Sequence, residues 1–108
     1  MKKFMLIYMA PISAEEQMNV SPEEQKKGME PWLAWMKKMG TALEEGGTPL
    51  VNGMHFTKNS VSKGATQVTG FNVLQAKDMD SVKKMLIDHP HFILPKASIE
   101  VFEMMPMM

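Results

Sequence analysis

Two of the three histidines in this 108-residue chain fall in one tetrapeptide, Asp88-His89-Pro90-His91. Histidine is the side chain whose unperturbed titration lies near neutral pH, so this is the natural place for proton transfer to and from a small substrate. Met79, Val82, Met85 and Leu86 recur at helical spacing and His89 continues their stripe, which turns its imidazole toward the core. At a helix C-terminus the dipole favours the imidazolium, and burial opposes it. Asp88, the candidate helper, points about 100° away from its neighbour on a helix, so a catalytic His89/Asp88 dyad requires the chain to unwind at Pro90.

Three roles are open to His89: a helix-ending histidine bonded to a free carbonyl, a general acid/base, or a metal ligand together with His91 and the distant His55. His-Pro-His is not a diagnostic ligand spacing, and the expectation is neither metal nor cofactor. Trp32, Trp35 and Phe71 are candidate walls of a substrate cleft, with Tyr8 as a hydrogen-bond donor into it and His91 and Glu100 as further contacts. The aromatic residues also fit simple core packing. Glu103 interrupts the Ile99-Val101-Met105 face and Glu100 interrupts Phe102-Met104, so one of them meets an apolar environment unless it serves as a charge on a strand edge.

Composition removes several chemistries. There is no cysteine, which excludes disulfides, thiol catalysis and thiolate metal sites, and suits a reducing cytoplasm. Every basic residue is lysine, balanced 12 to 12 by acids, and without arginine the bidentate fork that reads phosphate or guanine is missing, so no nucleic-acid partner is expected. Lys26-Lys27, Lys37-Lys38 and Lys83-Lys84 sit among acidic neighbours as solvated helix faces. The 14 methionines admit a soft-metal reading, but Met5, Met9, Met29, Met36, Met39 and Met85 fall on core positions, where a flexible thioether fills space. No apolar run is long enough for a signal peptide or membrane helix, so a cytoplasmic protein is expected. Nor is there a phosphate-binding glycine loop or a Ser-His-Asp set.

The elements that must position these groups follow from periodicity. Residues 3–10 are apolar at both parities, with Phe4, Leu6 and Tyr8 on one face and Met5, Ile7 and Met9 on the other, as in a strand covered on both sides. Residues 11–20 read as a loop. Ser21-Pro22-Glu23-Glu24 starts a helix with a hydroxyl cap, a proline at its first position and a capping-box glutamate. Met29, Trp32, Leu33, Met36, Met39 and Leu43 extend it to Gly46-Gly47, with a kink or break expected near Gly28 from Pro31. Residues 49–58 read as a peripheral strand, 59–65 as a loop, 67–76 as a third strand, and a helix capped by Asp78 runs to His89. Residues 98–105 make the fourth strand. The order β-α-β-β-α-β predicts a single α+β domain over 1–108, a ferredoxin-like sandwich with a four-stranded antiparallel sheet and both helices on one face. The doubly apolar first strand then requires a cover for the other face, and a second copy in a two-fold homodimer supplies it.

Residues 2–8 (Lys-Lys-Phe-Met-Leu-Ile-Tyr), Ser21-Pro22-Glu23-Glu24 ahead of Trp32-Leu33-Ala34-Trp35, Gly46-Gly47-Thr48-Pro49-Leu50 and Ser98-Ile99-Glu100-Val101-Phe102-Glu103 together resemble the YCII-related family of the dimeric α/β-barrel superfamily. The resemblance implies a ferredoxin-like protomer, a dimer whose sheets form a barrel, and a cleft with an enzyme-like His/Asp arrangement onto which Asp88, His89 and Pro90 map. The chain lacks the Asp-Gly-Pro-Phe stretch expected between Gly64 and Phe71, so no link to sigma factors is carried over. Two functions follow as expectations. One is a small-molecule enzyme (isomerase, lyase or cofactor-independent oxygenase type) with His89 as acid/base and Asp88 or Glu100 as helper; the other is a non-catalytic dimeric module binding a small ligand in the same cleft.

Overall fold

The computed structural model of the protein describes residues 1–64 and 67–107. In chain order its elements are β1 (Lys2–Met9), α1 (Ala14–Met18), α2 (Pro22–Met39), a 3-10 helix (Gly40–Ala42), β2 (Leu43–Pro49), β3 (Met54–Phe56), β4 (Val61–Lys63), β5 (Val68–Ala76), α3 (Met79–Met85), a second 3-10 helix (Pro90–Ile93) and β6 (Ser98–Met104). Strands β2, β5, β1 and β6 lie side by side in that order, every neighbour antiparallel. This is the ferredoxin-like βαββαβ topology, with α1 and the β3–β4 hairpin as additions.

The period-2 pattern of β1 sorts the core. Phe4, Leu6 and Tyr8 are buried on the helix-bearing face, joined by Leu74 and Ala76 from β5, Trp35 from α2 and Val82 from α3. Both main helices therefore cover the same side. On the opposite side Met5 pairs with Val73 and Phe102, Ile7 with Phe71 and Glu100, and Lys3 with Met104. Among the described residues both main helices lie on the other side of the sheet, and of this apolar set Phe102 and Met104 are exposed while Val73 is buried.

Caps behave as their sequences dictate. The Ser21 hydroxyl accepts the Glu24 backbone N–H at 3.2 Å with Pro22 at the first helical position, and the Asp78 carboxylate accepts the Ser81 N–H at 2.9 Å, which holds that carboxyl below its ordinary pKa. Two helix ends differ from expectation. Helix α2 passes through Pro31 unbroken but stops at Met39, because Gly40 adopts a left-handed φ of 55° and its N–H closes on the Met36 carbonyl. The Gly46-Gly47 pair expected to end it lies in β2 instead. Helix α3 ends at Met85 rather than at His89, and the chain turns through Asp88, whose φ is 59°.

The segment read as a loop at 11–20 contains α1, capped by the Ser13 hydroxyl on the Glu16 N–H. Residues 49–58 are not one strand: β3 and β4 form a short hairpin closed by Thr57 N–H to the Ser60 carbonyl at 2.8 Å. The end of the 59–65 stretch lies outside the described residues.

Candidate functional site

A polar cluster sits inside the aromatic part of the core, at the sheet end where β1 finishes. Asn72 is on β5, diagonally across from Tyr8, whose paired neighbour is Gly70. Alternation puts both side chains on the helix-bearing face. Tyr8 Oη donates to Asn72 Oδ1, and Asn72 Nδ2 donates to the Glu45 carbonyl of β2 at 2.7 Å. His89 Nε2 lies 3.0 Å from Tyr8 Oη. Since the single phenolic proton is already directed to Asn72, His89 donates Nε2–H to the Tyr8 oxygen.

Local sequence fixes the other side of the imidazole. His89 is the N-cap of the 3-10 helix Pro90–Ile93, with extended backbone dihedrals, and its Nδ1 accepts the His91 backbone N–H at 3.0 Å. Pro90, which has no N–H of its own to satisfy, occupies the first helical position. The ring of His91 turns back to the sheet, where its Nε2–H is shared between the carbonyls of Met9 at 2.9 Å and Ser98 at 3.0 Å. It thereby ties the end of β1 to the start of β6.

Aromatic rings enclose this chain of bonds. Trp35 stands 4.3 Å from His89 between centroids, Trp32 meets Tyr8 and His89 edge-on at 5.0 and 4.9 Å, and Phe92 lies 6.4 Å from both histidines. Tyr8, Asn72, His89 and His91 are each no more than 2% exposed. Burial pushes the His89 pKa down from 6.5 to about 4, with the neighbouring His91 adding to the effect, and burial also raises that of Tyr8. At neutral pH Tyr8 and His89 are uncharged.

The thinnest part of this enclosure is on β2. Its pairing to β5 skips between Glu45 and Thr48, so Gly46 and Gly47 bulge opposite Asn72. A Cβ built on the exposed Gly47 would stand 3.3 Å from Trp32 Cζ3 and 3.7 Å from Asn72 Oδ1.

Of the expected site residues, Tyr8, Trp32, Trp35, His89 and His91 are brought together. Three are not. Asp88 is exposed in its left-handed turn, and both nitrogens of His89 are engaged elsewhere. Phe71 and Glu100 flank Ile7 on the opposite face of the sheet, because their register places them there. Glu103, on the helix-bearing face, pairs with Lys2 at 3.2 Å at the sheet's far end. His55 is exposed on the β3–β4 hairpin, and among the described residues no three His, Cys, Asp or Glu side chains are grouped to hold a metal. Sequence reasoning missed Asn72 as a site residue, although a carboxamide between Phe71 and Val73, on the same face as Leu74, was the available signal.

No protein-family model matches the chain, and no curated protein sequence does. Among solved structures it is similar to 5-chloro-2-hydroxyhydroquinone dehydrochlorinase from Burkholderia phenoliruptrix AC1100, in its complex with 2,5-dihydroxybenzoquinone. The TM-score is 0.52 at 14% identity, covering 93% of this chain and 91% of the other. The likeness extends over most of the chain and is one of fold.

Proposed function

We propose that this protein is a YCII-related, homodimeric small-molecule enzyme whose chemistry centres on the hydrogen-bonded pair Tyr8 and His89. The observation that carries this reading is the uninterrupted chain Asn72–Tyr8–His89–His91 buried among aromatic rings at one end of the sheet. A core of this size has no packing need for two histidines, a phenol and a carboxamide in one spot, and buried titratable groups with displaced pKa values mark functional sites. Support for the dimer comes from the apolar face of Met5, Ile7, Phe71, Val73, Phe102 and Met104, opposite the helices, on which Phe102 and Met104 are exposed. The quinone-type compound bound by the structurally similar dehydrochlorinase supports a ring-shaped, oxygen-rich substrate class. Reactions of the isomerase, lyase or cofactor-independent oxygenase type share a step that such a pair can assist, the development of negative charge on a substrate oxygen.

The test is turnover of a panel of hydroxylated quinones, phenols and activated ketones by the wild type, Tyr8→Phe and His89→Leu. Activity in the wild type that falls at least a hundredfold in both variants, with folding retained, is the expected result. Equal turnover in all three removes the enzyme reading. A non-catalytic binding module is favoured by a different observation, that among the described residues no carboxylate is bonded to His89; ligand-induced thermal stabilisation without turnover would select it.

A further inference from the structure

We infer that His89 acts as a fixed neutral Nε2–H donor and not as a base, and that the Tyr8–His89 pair is built to receive the carbonyl oxygen of a ketone- or quinone-type ligand. The inference rests on the functional reading above and specifies its ligand.

The direction of every hydrogen bond in the cluster is set from its two ends. At one end the donor is the His91 backbone N–H, which leaves Nδ1 of His89 as acceptor and places the ring proton on Nε2. At the other, Asn72 donates an Nδ2–H to the Glu45 carbonyl, so Oδ1 faces Tyr8 and accepts the phenolic hydrogen. Reversing the chain would set a protonated Nδ1 against the His91 N–H. An imidazolium meets the same obstruction, so His89 cannot accept a proton from Tyr8 while the His-Pro-His turn is intact. Nor can Asn72 take one, because a carboxamide is not a base at ordinary pH.

What remains to this arrangement is donation. The Tyr8 hydroxyl, whose oxygen is polarised by His89, offers its hydrogen to whichever oxygen stands where Asn72 Oδ1 now stands. A carbonyl oxygen is such a group, a neutral acceptor that takes the phenolic hydrogen without any charge having to be brought into the core. No covalent bond forms with the protein and no proton changes owner. The bulge at Gly46-Gly47 puts backbone without a side chain over Asn72 Oδ1 and the edge of Trp32, where a Cβ on Gly47 would already stand 3.3 Å from the ring, so a planar ligand reaches Tyr8 from this side only by displacing the Asn72 carboxamide and shifting the indole. Among the described residues Tyr8 and His89 bond to no anionic group that would hold a cationic ligand.

Two measurements test this. In protein labelled with 15N at histidine, long-range proton–nitrogen correlation spectra at pH 7 should show His89 as the neutral Nε2–H tautomer; a neutral Nδ1–H form or an imidazolium overturns the assignment, whatever the protein catalyses. Calorimetric titration with 2,5-dihydroxybenzoquinone then tests the ligand class. Binding should weaken at least tenfold in Tyr8→Phe and in His89→Leu, whereas His89→Gln, whose amide keeps a donor, should stay within about threefold of the wild type. Equal loss in the Gln and Leu variants overturns the donor role, and an absence of wild-type binding overturns the ligand class. Loss of turnover in Tyr8→Phe with the wrong His89 tautomer would leave the enzyme reading standing while this inference fell.

Discussion

Trp35 Nε1 donates to the Met85 carbonyl at 3.0 Å while its ring packs 4.3 Å from that of His89, so one side chain both closes the C-terminal end of α3 and roofs the imidazole. Trp35→Phe keeps an aromatic ring but leaves the Met85 carbonyl without its indole donor and opens space beside His89. The expected cost is about 2 kcal/mol of folding stability, combining a lost hydrogen bond with a small cavity. Urea denaturation measures it. A change below about 0.5 kcal/mol would show that α3 and the imidazole are held by other contacts.

The depressed pKa of His89 makes stability depend on pH in a defined direction. Unfolded, the imidazole titrates near 6.5; folded, it titrates near 4, so between these values the unfolded chain binds the extra proton. Stability from this group is complete above about pH 6.5 and falls as the pH drops through 4. His91 is the titratable neighbour that reinforces the effect, and Tyr8 stays protonated throughout. The loss should be of the order of 2 kcal/mol between pH 7 and pH 4, and should be absent in His89→Gln. Denaturation midpoints at pH 7, 5.5 and 4 for both proteins decide it. Identical pH dependence in the two would assign the effect to other groups.

Tyr8 and Asn72 form a bond whose energetic coupling can be isolated. Tyr8→Phe leaves His89 Nε2–H and Asn72 Oδ1 without the hydroxyl between them, which costs about 1–3 kcal/mol for buried polar atoms. Asn72→Ala should cost as much or more, because the bond to the Glu45 carbonyl of the edge strand is lost as well. In the double variant the two losses should overlap by at least about 1 kcal/mol. Strict additivity in a double-mutant cycle would mean that the phenol and the carboxamide do not act together.

The sheet was legible because its signals are local. Alternation in β1 and β5 assigns Phe4, Leu6, Tyr8 and Leu74 to the core, and Ser21 and Asp78 mark helix starts through bonds spanning three residues. Helix ends were less so. Gly40 and Gly46-Gly47 are equally permissive as sequence, and only the pairing of Leu43 with Leu74 commits the chain to β2 before the glycine pair. At the site, the helical stripe turned His89 inward correctly, yet the ring is aimed by the turn after α3, not by the helix. Asp88 was misassigned as a partner for the same reason: its left-handed φ sends it to solvent. Asn72 became meaningful only when the register of β1 on β5 set it beside Tyr8.

Gly47 offers a graded test of the bulge. Its Cβ would stand 3.3 and 3.5 Å from the Trp32 ring, close enough that the ring must give way slightly. Gly47→Ala should cost well under 1 kcal/mol, since the indole is half-buried and can shift. Gly47→Val adds branches toward Trp32 and Asn72 and should cost about 1–2 kcal/mol with a changed near-ultraviolet circular dichroism of tryptophan. Matching spectra and stability for the valine variant would mean that the bulge leaves more room over Trp32 than this packing allows.

Phe102 lies opposite Met5 on the face that no helix covers and is 56% exposed, so its apolar surface contributes little to the fold of one protomer. If that face joins two copies, the same ring becomes buried and sits among Met5, Ile7, Val73 and Met104 of a two-fold interface. Phe102→Asp should then leave the folded protomer intact while placing two desolvated carboxylates in the interface, one from each copy. Sedimentation velocity at micromolar concentration should show a dimer for the wild type and a monomer for the variant, with unchanged far-ultraviolet circular dichroism. Because the Tyr8–His89 cluster lies on the other side of β1, the His89 tautomer at pH 7 should be the same in both. A wild-type protein that sediments as a monomer would leave this apolar face wet and remove the barrel from the functional reading.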